Sequence, residues 1–328
     1  MDRSIASGYA ARDRSIVSKR RDSAWYRWRG RLRLGAARAV LVGLGWLSLG
    51  AAQRLGSGLG RLAWMSNGSM RRTVEDNLAR CLPETDEGER EAIARRTLIE
   101  TGKGLIETAP VWRWGPADIE AAIVERRGFD AIEQALAAGR GVILLAPHMG
   151  NWELGGLATA ARTPTTIMYR PPREPAMERL LVDARARTGA SLAPANLGGV
   201  RKALRALKRG ELVAILPDQA PRHGEGVTAP FFGQPALTMT LIRTLSRRTD
   251  AAVFTGWAER LPGARGFRIH YEPVTEPVGH DDPVEAAMAL NREIERVVRE
   301  EPAQYQWTYR RFRRQASGRA RREQRQAD

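Results

Sequence analysis

Residues 142–153 read Val142-Ile-Leu-Leu-Ala-Pro-His-Met-Gly-Asn-Trp-Glu153, and they indicate the fold class more clearly than any other segment. The first five residues form an uninterrupted apolar run of strand length, which is typical of a buried strand in a parallel sheet. Pro147, Gly150 and Asn151 then favour a turn. Because a helical pattern follows over residues 152–161, the stretch is predicted to be the first half of a β-α-β unit.

The same alternation of strands and helices continues on both sides of this stretch. Helices are predicted over residues 70–81, 86–106, 129–138, 152–161, 174–188 and 200–209, and buried strands over 142–146, 165–169 and 212–216. This order predicts an α/β fold with a mostly parallel mixed sheet, helices on both faces and functional side chains at the carboxyl ends of the strands. Residues 251–258 and 266–271 are predicted to form a hairpin at the edge of that sheet.

The composition excludes several classes of protein. The chain has 328 residues, of which 43% are hydrophobic and 27% are charged, so neither a disordered chain nor a polytopic membrane protein is expected. Its length suggests one large domain or two small ones. The single cysteine, Cys81, excludes an internal disulfide and a cysteine-based zinc site.

The formal net charge of +16 is concentrated at the two ends of the chain. Residues 1–38 carry a net charge of +8 and residues 310–328 carry +6, which leaves about +2 for the body. Basic tails on a near-neutral body favour an anionic partner, either phospholipid headgroups or a nucleic acid. A solvated tail without a partner is the alternative. Because the body lacks a basic stripe, an anionic membrane surface is favoured over a nucleic acid.

Residues 39–53 are uncharged and largely apolar, but the run is short for a membrane span, which needs about 20 residues. It also begins too far from Met1 for a removable signal peptide. We interpret it as a helix that lies in the membrane interface or re-enters it, with a buried core helix as the alternative. Four regions are therefore predicted: a basic tail over 1–38, a membrane-associated helical segment over 39–66, a catalytic domain over 67–312 and a basic tail over 313–328.

His148 and Glu153 are the candidate catalytic residues. Side chains five residues apart point roughly 140° away from each other on a regular helix, so the two need the intervening turn to meet. That turn allows the Glu153 carboxylate to fold back and hold one ring nitrogen of His148. The other nitrogen would then be a competent general base that deprotonates a hydroxyl for attack on an activated acyl group. A histidine that is merely hydrogen-bonded at the end of a strand is the alternative.

The chemistry expected of this turn needs no covalent intermediate on the enzyme. No Gly-x-Ser-x-Gly motif occurs, and Cys81 lies in a predicted helix without a neighbouring histidine. Amides at the start of the following helix are predicted to stabilise the developing oxyanion. Gly150 and Asn151 are further candidates for substrate binding. No metal-ligand constellation is recognisable, so neither a metal nor a cofactor is expected.

Several other blocks of sequence accompany this motif. They are Asn77-Leu-Ala-Arg-Cys-Leu-Pro-Glu84, Tyr169-Arg170-Pro171, Pro217-Asp218-Gln219, Pro230-Phe-Phe-Gly233 with Thr238, and Pro302-Ala-Gln-Tyr-Gln-Trp-Thr-Tyr-Arg-Arg-Phe312. With His148-Met-Gly-Asn-Trp-Glu153 in its place among them, the chain resembles the late acyltransferases of lipid A biosynthesis. These are the lauroyl and myristoyl transferases of the lysophospholipid acyltransferase superfamily. The resemblance runs from about residue 71 to residue 312.

This resemblance implies a glycerolipid acyltransferase-like fold preceded by a membrane-associated helix. It also implies transfer of a fatty acyl group from acyl-carrier protein to a hydroxyacyl chain of a Kdo-bearing lipid A precursor, at the cytoplasmic face of the inner membrane. His148 would be the base and Glu153 its orienting partner.

Two further site residues are expected at strand ends. Arg170 is predicted to bind phosphate or to polarise the thioester carbonyl, since a guanidinium offers planar, paired donors; a surface arginine is the alternative. Asp218 is predicted to face the cleft, where the sequence leaves open whether it holds Arg170, binds the acceptor or caps a turn. Relatives that acylate other glycolipids or lysophospholipids, some from acyl coenzyme A, are the alternative enzyme class. A nucleic-acid-binding protein is the remote one.

Overall fold

The computed structural model describes residues 35, 39–172, 174–221 and 224–312. Apart from residue 35, both predicted basic tails lie outside the described residues. The chain divides into two compact units, Met1–Trp46 and Leu47–Asp328. Residues 39–44 of the first unit are helical, and Gly45 and Trp46 form a turn.

The second unit contains ten α-helices, two short 3-10 helices (Pro262–Ala264 and Pro302–Gln304) and nine strands among its described residues. The helices are α1 (Leu49–Met65), α2 (Ser69–Cys81), α3 (Glu87–Arg113), α4 (Pro116–Ala121), α5 (Phe129–Ala137), α6 (Trp152–Ala160), α7 (Pro175–Ala186), α8 (Leu197–Lys208), α9 (Leu241–Arg248) and α10 (Pro283–Glu300). The strands are β1 (Ile123–Arg127), β2 (Val142–Leu145), β3 (Thr165–Tyr169), β4 (Ser191–Pro194), β5 (Leu212–Ile215), β6 (Gly226–Phe231), β7 (Gln234–Met239), β8 (Ala252–Arg260) and β9 (Phe267–Pro273).

Seven of the strands form one mixed sheet in the order β1-β9-β8-β2-β5-β3-β4. All neighbouring pairs are parallel except β8 and β9, which are antiparallel. The predicted α/β class with a mostly parallel sheet is therefore confirmed. Strands β6 and β7 form a separate two-stranded hairpin.

The predicted position of one hairpin is wrong. Strands β8 and β9 do pair as a hairpin, but β8 lies against β2 and β9 lies against β1, so the hairpin is inside the sheet. Strand β1 occupies the edge. Its sequence, Ile-Val-Glu-Arg-Arg, is short and highly charged, and therefore carries no apolar pattern that predicts a strand.

Helices cover both faces of the sheet, as predicted. In β2, Val142 and Leu144 pack into a core with α5 and α6, whereas Ile143 and Leu145 pack into a second core with α8, α9 and α10. Alternate residues of a strand point to opposite faces, so an unbroken apolar run is required when both faces are buried. This explains why the central strands were recognisable from sequence.

Helix α1 packs closely against α3. Carbon atoms added at Gly60 and Gly102 would lie 2.4 and 2.2 Å from backbone atoms of the facing helix, so only glycine permits this approach. The prediction of a single helix over the apolar residues 39–53 is wrong, because a new helix, α1, starts within them. Ser48 caps the start of α1 by accepting the amide of Ala51. In the part of the chain that the structure describes, no helix is long and apolar enough to cross a membrane.

Candidate active site

The turn after β2 is held in a conformation that requires glycine. Gly150 has φ +58°, and a carbon atom added to it would lie 1.9 Å from the carbonyl oxygen of Ala258. The next residue, Asn151, caps α6 because its side-chain oxygen accepts the amide of Leu154 at 3.0 Å. The strand-turn-helix predicted around His148 is therefore present, and His148 lies at the carboxyl end of β2.

His148 is held by Asp218. Its ring atom Nδ1 lies 2.8 Å from Asp218 Oδ1, and its backbone amide donates to Asp218 Oδ2 at 3.0 Å. Strands β2 and β5 are parallel neighbours with Leu145 opposite Ile215, so the residues three positions after each meet side by side. Because Nδ1–H donates a hydrogen bond to the carboxylate, the imidazole carries its proton on Nδ1 and keeps a lone pair on Nε2, which is the state of a general base.

Asp218 is buried, with 5% of its surface exposed. Burial on its own raises the pKa of a carboxyl group, but the charge of His148 and its ring and backbone hydrogen bonds hold the pKa of Asp218 below the ordinary value. Asp218 is thus an ionised carboxylate that accepts a hydrogen bond from the Nδ1–H group of His148. The sequence leaves three partners open for Asp218, and in the structure both of its oxygens contact His148 instead.

Glu153 does not hold the imidazole, which corrects the hydrogen bond expected from sequence. Its carboxylate accepts bonds from Trp112 Nε1 at 2.9 Å and from Arg185 Nη2 at 2.6 Å. Burial is the largest influence and opposes ionisation, but the pKa of Glu153 is lowered because the charge and hydrogen bond of Arg185, the hydrogen bond of Trp112 and the charge of His148 together outweigh it. Glu153 therefore reaches His148 through its charge and not through a hydrogen bond.

A buried polar cluster around Glu107 contacts the same turn through Asn151. Glu107 accepts hydrogen bonds from Gln53 Nε2 at 2.8 Å, from Asn151 Nδ2 at 2.9 Å and from two nitrogens of Arg260. Burial raises the pKa of Glu107, but these partners, Arg260 above all, hold it below the ordinary value. Both polar atoms of the Asn151 side chain are thus bonded within the protein, and its role in substrate binding, like that of Gly150, stays a prediction.

Arg170 lies at the same end of the sheet as His148. It directly follows β3, its side chain is exposed, and β5 lies between β3 and β2. Two strand spacings separate the two backbones by roughly 10 Å. Arg170 therefore lies at the same edge of the sheet as His148, and its role in substrate binding stays a prediction.

An apolar cavity lies between α6 and the sheet, next to the turn over residues 147–151. Its lining includes the small residues Gly155, Gly156, Ala214 and Gly256, together with larger side chains such as Glu153 and Tyr271. Its volume is about 30 Å³. The Tyr271 hydroxyl, paired with Thr159 Oγ1 at 2.9 Å, is one of the polar groups of this lining.

Similarity to known proteins shows which family the chain belongs to. A family model for the bacterial lipid A biosynthesis acyltransferases matches residues 31–314. The chain belongs to this family. It is 30% identical over 266 residues to the lipid A biosynthesis lauroyltransferase of Escherichia coli strain K12, across 81% of this chain and 86% of that protein.

Two further relatives from the same strain are similar over most of their length. The lipid A biosynthesis palmitoleoyltransferase is 30% identical over 237 residues, which is 72% of this chain and 76% of that protein. The lipid A biosynthesis myristoyltransferase is 28% identical over 258 residues, which is 76% of this chain and 77% of that protein. The resemblance expected from the sequence blocks is confirmed.

Two glutamines of this family member reach His148 unexpectedly. Gln219 Nε2 lies 3.3 Å from His148 Nε2 and donates to Gln306 Oε1 at 3.0 Å. Both glutamines lie in the blocks that carry the family resemblance, yet an uncharged amide gives no sequence signal of a role. Among the described residues no cluster of side chains is arranged to hold a metal ion.

Proposed function

We propose that the protein is a late acyltransferase of lipid A biosynthesis that takes a fatty acyl chain from acyl-carrier protein and adds it to a hydroxyacyl chain of a Kdo-bearing lipid A precursor. The observation that carries this proposal is the contact between His148 Nδ1 and Asp218 in a member of this family. It leaves Nε2 as the basic nitrogen, and Pro147, the residue before His148, lines an apolar cavity.

In the proposed reaction, His148 Nε2 takes the proton from the acceptor hydroxyl. The hydroxyl oxygen forms a bond to the thioester carbon, the carbonyl electrons move to its oxygen, and the tetrahedral intermediate then expels the thiolate of the carrier. The imidazolium returns its proton to that thiolate. Asp218 stabilises the imidazolium through Nδ1, and the nearby negative charge of Glu153 does so without contact.

Arg170 is proposed to bind a phosphate of the glycolipid or of the carrier's prosthetic group. Its exposed position at the carboxyl end of β3 supports contact with a large substrate that lies across the rim of the site. A guanidinium suits this task because it binds phosphate oxygens in pairs.

The apolar cavity is proposed to receive the end of the donated chain nearest the reacting carbon. Because its volume is about 30 Å³, a bound chain must push the lining side chains apart. The glycines of α6 limit the cost of that widening, since they leave space that any other residue would fill. Chain length would then be set by the residues of α6 and the sheet.

A substitution in this cavity is expected to change which chain is transferred. A carbon atom added at Gly156 would meet Ile167 Cδ1 at 3.4 Å, so Gly156→Ala fits but narrows the cavity. We expect the ratio of kcat/KM values to shift towards shorter chains by about 10-fold or more, since one methylene in an apolar pocket is worth about 1–3 kcal/mol. Mass spectrometry of products from a mixture of carrier-bound fatty acids measures this ratio.

The control for that variant is Gly58→Ala, which adds a methyl group to a half-buried position of α1 with no atom within 4 Å. It should leave the chain-length ratio unchanged. A Gly156→Ala enzyme with the wild-type ratio would show that the acyl chain lies elsewhere.

Attachment to the cytoplasmic face of the inner membrane is proposed to use one face of α1. Leu55, Leu59 and Leu62 form an exposed stripe on this helix, although leucine is usually buried. Arg54 and Arg61 lie about 100–120° away around the helix, and α1 contains no acidic residue. An apolar stripe beside cations is the pattern of a helix that lies in an anionic membrane interface.

Charge placed on that stripe is expected to release the protein. The double variant Leu59→Glu/Leu62→Glu should lower binding to anionic phospholipid vesicles by about 10-fold or more, because it loses apolar burial and adds repulsion. Vesicle sedimentation of the full chain measures the bound fraction. Leu197→Glu, at a leucine that is 79% exposed on α8, is the matched control. Equal loss in both variants would argue against a docking face on α1.

The proposed activity is tested by incubating the full-length purified protein with tetra-acylated Kdo-bearing precursor, a lysophospholipid and both carrier-bound and coenzyme A-bound fatty acids. We expect the glycolipid to gain the mass of one acyl chain, from the carrier-bound donor. Acylation of the lysophospholipid alone would assign the protein to the other enzyme class, and use of coenzyme A would exclude acyl-carrier protein as the required donor.

A further inference from the structure

The Gln219 side chain contacts His148 Nε2, the nitrogen proposed as the base. Because the Nδ1–H group donates a hydrogen bond to Asp218, the proton stays on Nδ1 and Nε2 has a lone pair. The Gln219 amide nitrogen, 3.3 Å away, donates a hydrogen bond to that lone pair. Gln219 is half-buried, so a substrate that reaches Nε2 also reaches this amide. When the acceptor hydroxyl donates its own hydrogen bond to Nε2, it displaces the Gln219 amide, and one N–H of Gln219 loses its partner in the protein.

The second N–H of Gln219 keeps its partner. It donates to Gln306 Oε1 at 3.0 Å, and the backbone amide of Gln306 donates to the carbonyl oxygen of His148 at 3.0 Å. The segment that contains Gln306 is therefore fixed to the catalytic turn itself. The Gln219 amide cannot swing away when its contact with the ring is broken.

The backbone of the turn offers few donors for a developing oxyanion. The four consecutive amides from His148 to Asn151 donate to Asp218 Oδ2, Pro147 O, Gln304 O and Ala258 O, respectively. Further along, the amides of Leu154 and Gly155 donate to Asn151. These six amides already have acceptors, so the donors left for an oxyanion beside Nε2 are the amides of Trp152 and Glu153, predicted from the sequence, and the Gln219 side chain, which already contacts Nε2.

We propose that Gln219 is a catalytic residue that donates a hydrogen bond to the oxyanion of the tetrahedral intermediate, and that Gln306 is the positioning residue that aims it. The proposal rests on the proposed acyl transfer. As His148 Nε2 takes the hydroxyl proton, the new O–C bond pushes the carbonyl electrons onto oxygen, and the freed N–H of Gln219 binds that oxygen. The bond is kept until the C=O re-forms and the C–S bond breaks.

The distances suit this role. A hydroxyl that is deprotonated by Nε2 lies about 2.6–3.2 Å from it, and oxyanion donors lie about 2.7–3.1 Å from the oxygen that they stabilise. The carbonyl oxygen is attached to the carbon that the hydroxyl attacks, so it forms within a few bond lengths of Nε2. A donor that already contacts Nε2 is therefore close enough to reach it with a small rotation.

Substitutions of similar shape test the proposal. Gln219→Met removes the donor, and we expect kcat to fall by about 10²–10³-fold, as for loss of one oxyanion donor, with KM for both substrates within about 3-fold of wild type. Gln306→Met should lose about 10-fold in kcat, because the donor remains but is no longer aimed. Gln306→Glu retains the accepting oxygen and should recover most of that loss.

The readouts separate chemistry from folding and from substrate identity. Gln134→Met, at an exposed position of α5, is the matched control, and thermal unfolding of each variant verifies the fold. Rates of variant and wild type are compared with whichever lipid the wild-type protein acylates. If that lipid is not the Kdo-bearing precursor, the proposed function is wrong, but the ratio of kcat between Gln219→Met and wild type still tests the role of Gln219. A Gln219→Met enzyme with kcat within 3-fold of wild type, or with a loss confined to KM, overturns the role of Gln219. A wild-type protein that acylates neither lipid contradicts both proposals.

Discussion

Replacing Asp218 with asparagine is expected to lower kcat by about 10³–10⁴-fold, in line with the loss of the orienting carboxylate in other histidine-based sites. The Asp218 carboxylate accepts two N–H groups of His148, one from the ring and one from the backbone. An asparagine has a single accepting oxygen, so its NH₂ group must face one of them. If it faces the ring, the imidazole proton moves to Nε2 and the base is lost.

Initial rates of acyl transfer at several pH values, with thermal unfolding as a check on folding, measure this effect. Asp76→Asn makes the same chemical change at an exposed position of α2 and should retain the wild-type rate. His148→Ala should lose activity at least as far as Asp218→Asn, because it removes the base itself. An Asp218→Asn enzyme within about 10-fold of wild type would mean that the carboxylate does not orient the base.

The largest effect on stability is expected from Arg260→Met. Arg260 is 4% exposed and bonds Glu107 through Nε and Nη2, and Glu100 through Nη1. Its removal leaves Glu107 as a buried carboxylate without a cation, which typically costs about 3–5 kcal/mol. Because Glu107 also holds Asn151, the catalytic turn should loosen and kcat should fall together with the free energy of unfolding.

Denaturant unfolding of the purified full chain measures the stability change. Arg268→Met is the matched control, because Arg268 bonds Glu125 and Glu259 in a partly exposed position, where an ion pair is worth about 0–1 kcal/mol. The double variant Arg260→Met/Glu107→Met should recover part of the lost stability, since no unpaired charge remains. A loss below about 1 kcal/mol in Arg260→Met would contradict a buried and uncompensated Glu107.

The central part of the fold is readable from the sequence because it depends on local patterns. An apolar run such as Val142–Leu145 predicts a strand buried on both faces, and Asp86 predicts the start of α3, which it caps through the amide of Glu89. Strand β1 and the interior place of β8 and β9 were missed, because pairing between distant segments leaves no periodic mark in either one.

The site divides in the same way. Local patterns were enough to predict that a histidine follows a buried strand, that a glycine-containing turn comes next and that a helix begins directly afterwards, since each depends only on neighbouring residues. The partner of the imidazole depends on the packing of distant segments: it is Asp218, 70 residues away, and not Glu153. The reason is that strand order and register bring the ends of β2 and β5 together, while Arg185, from another helix, takes the carboxylate of Glu153.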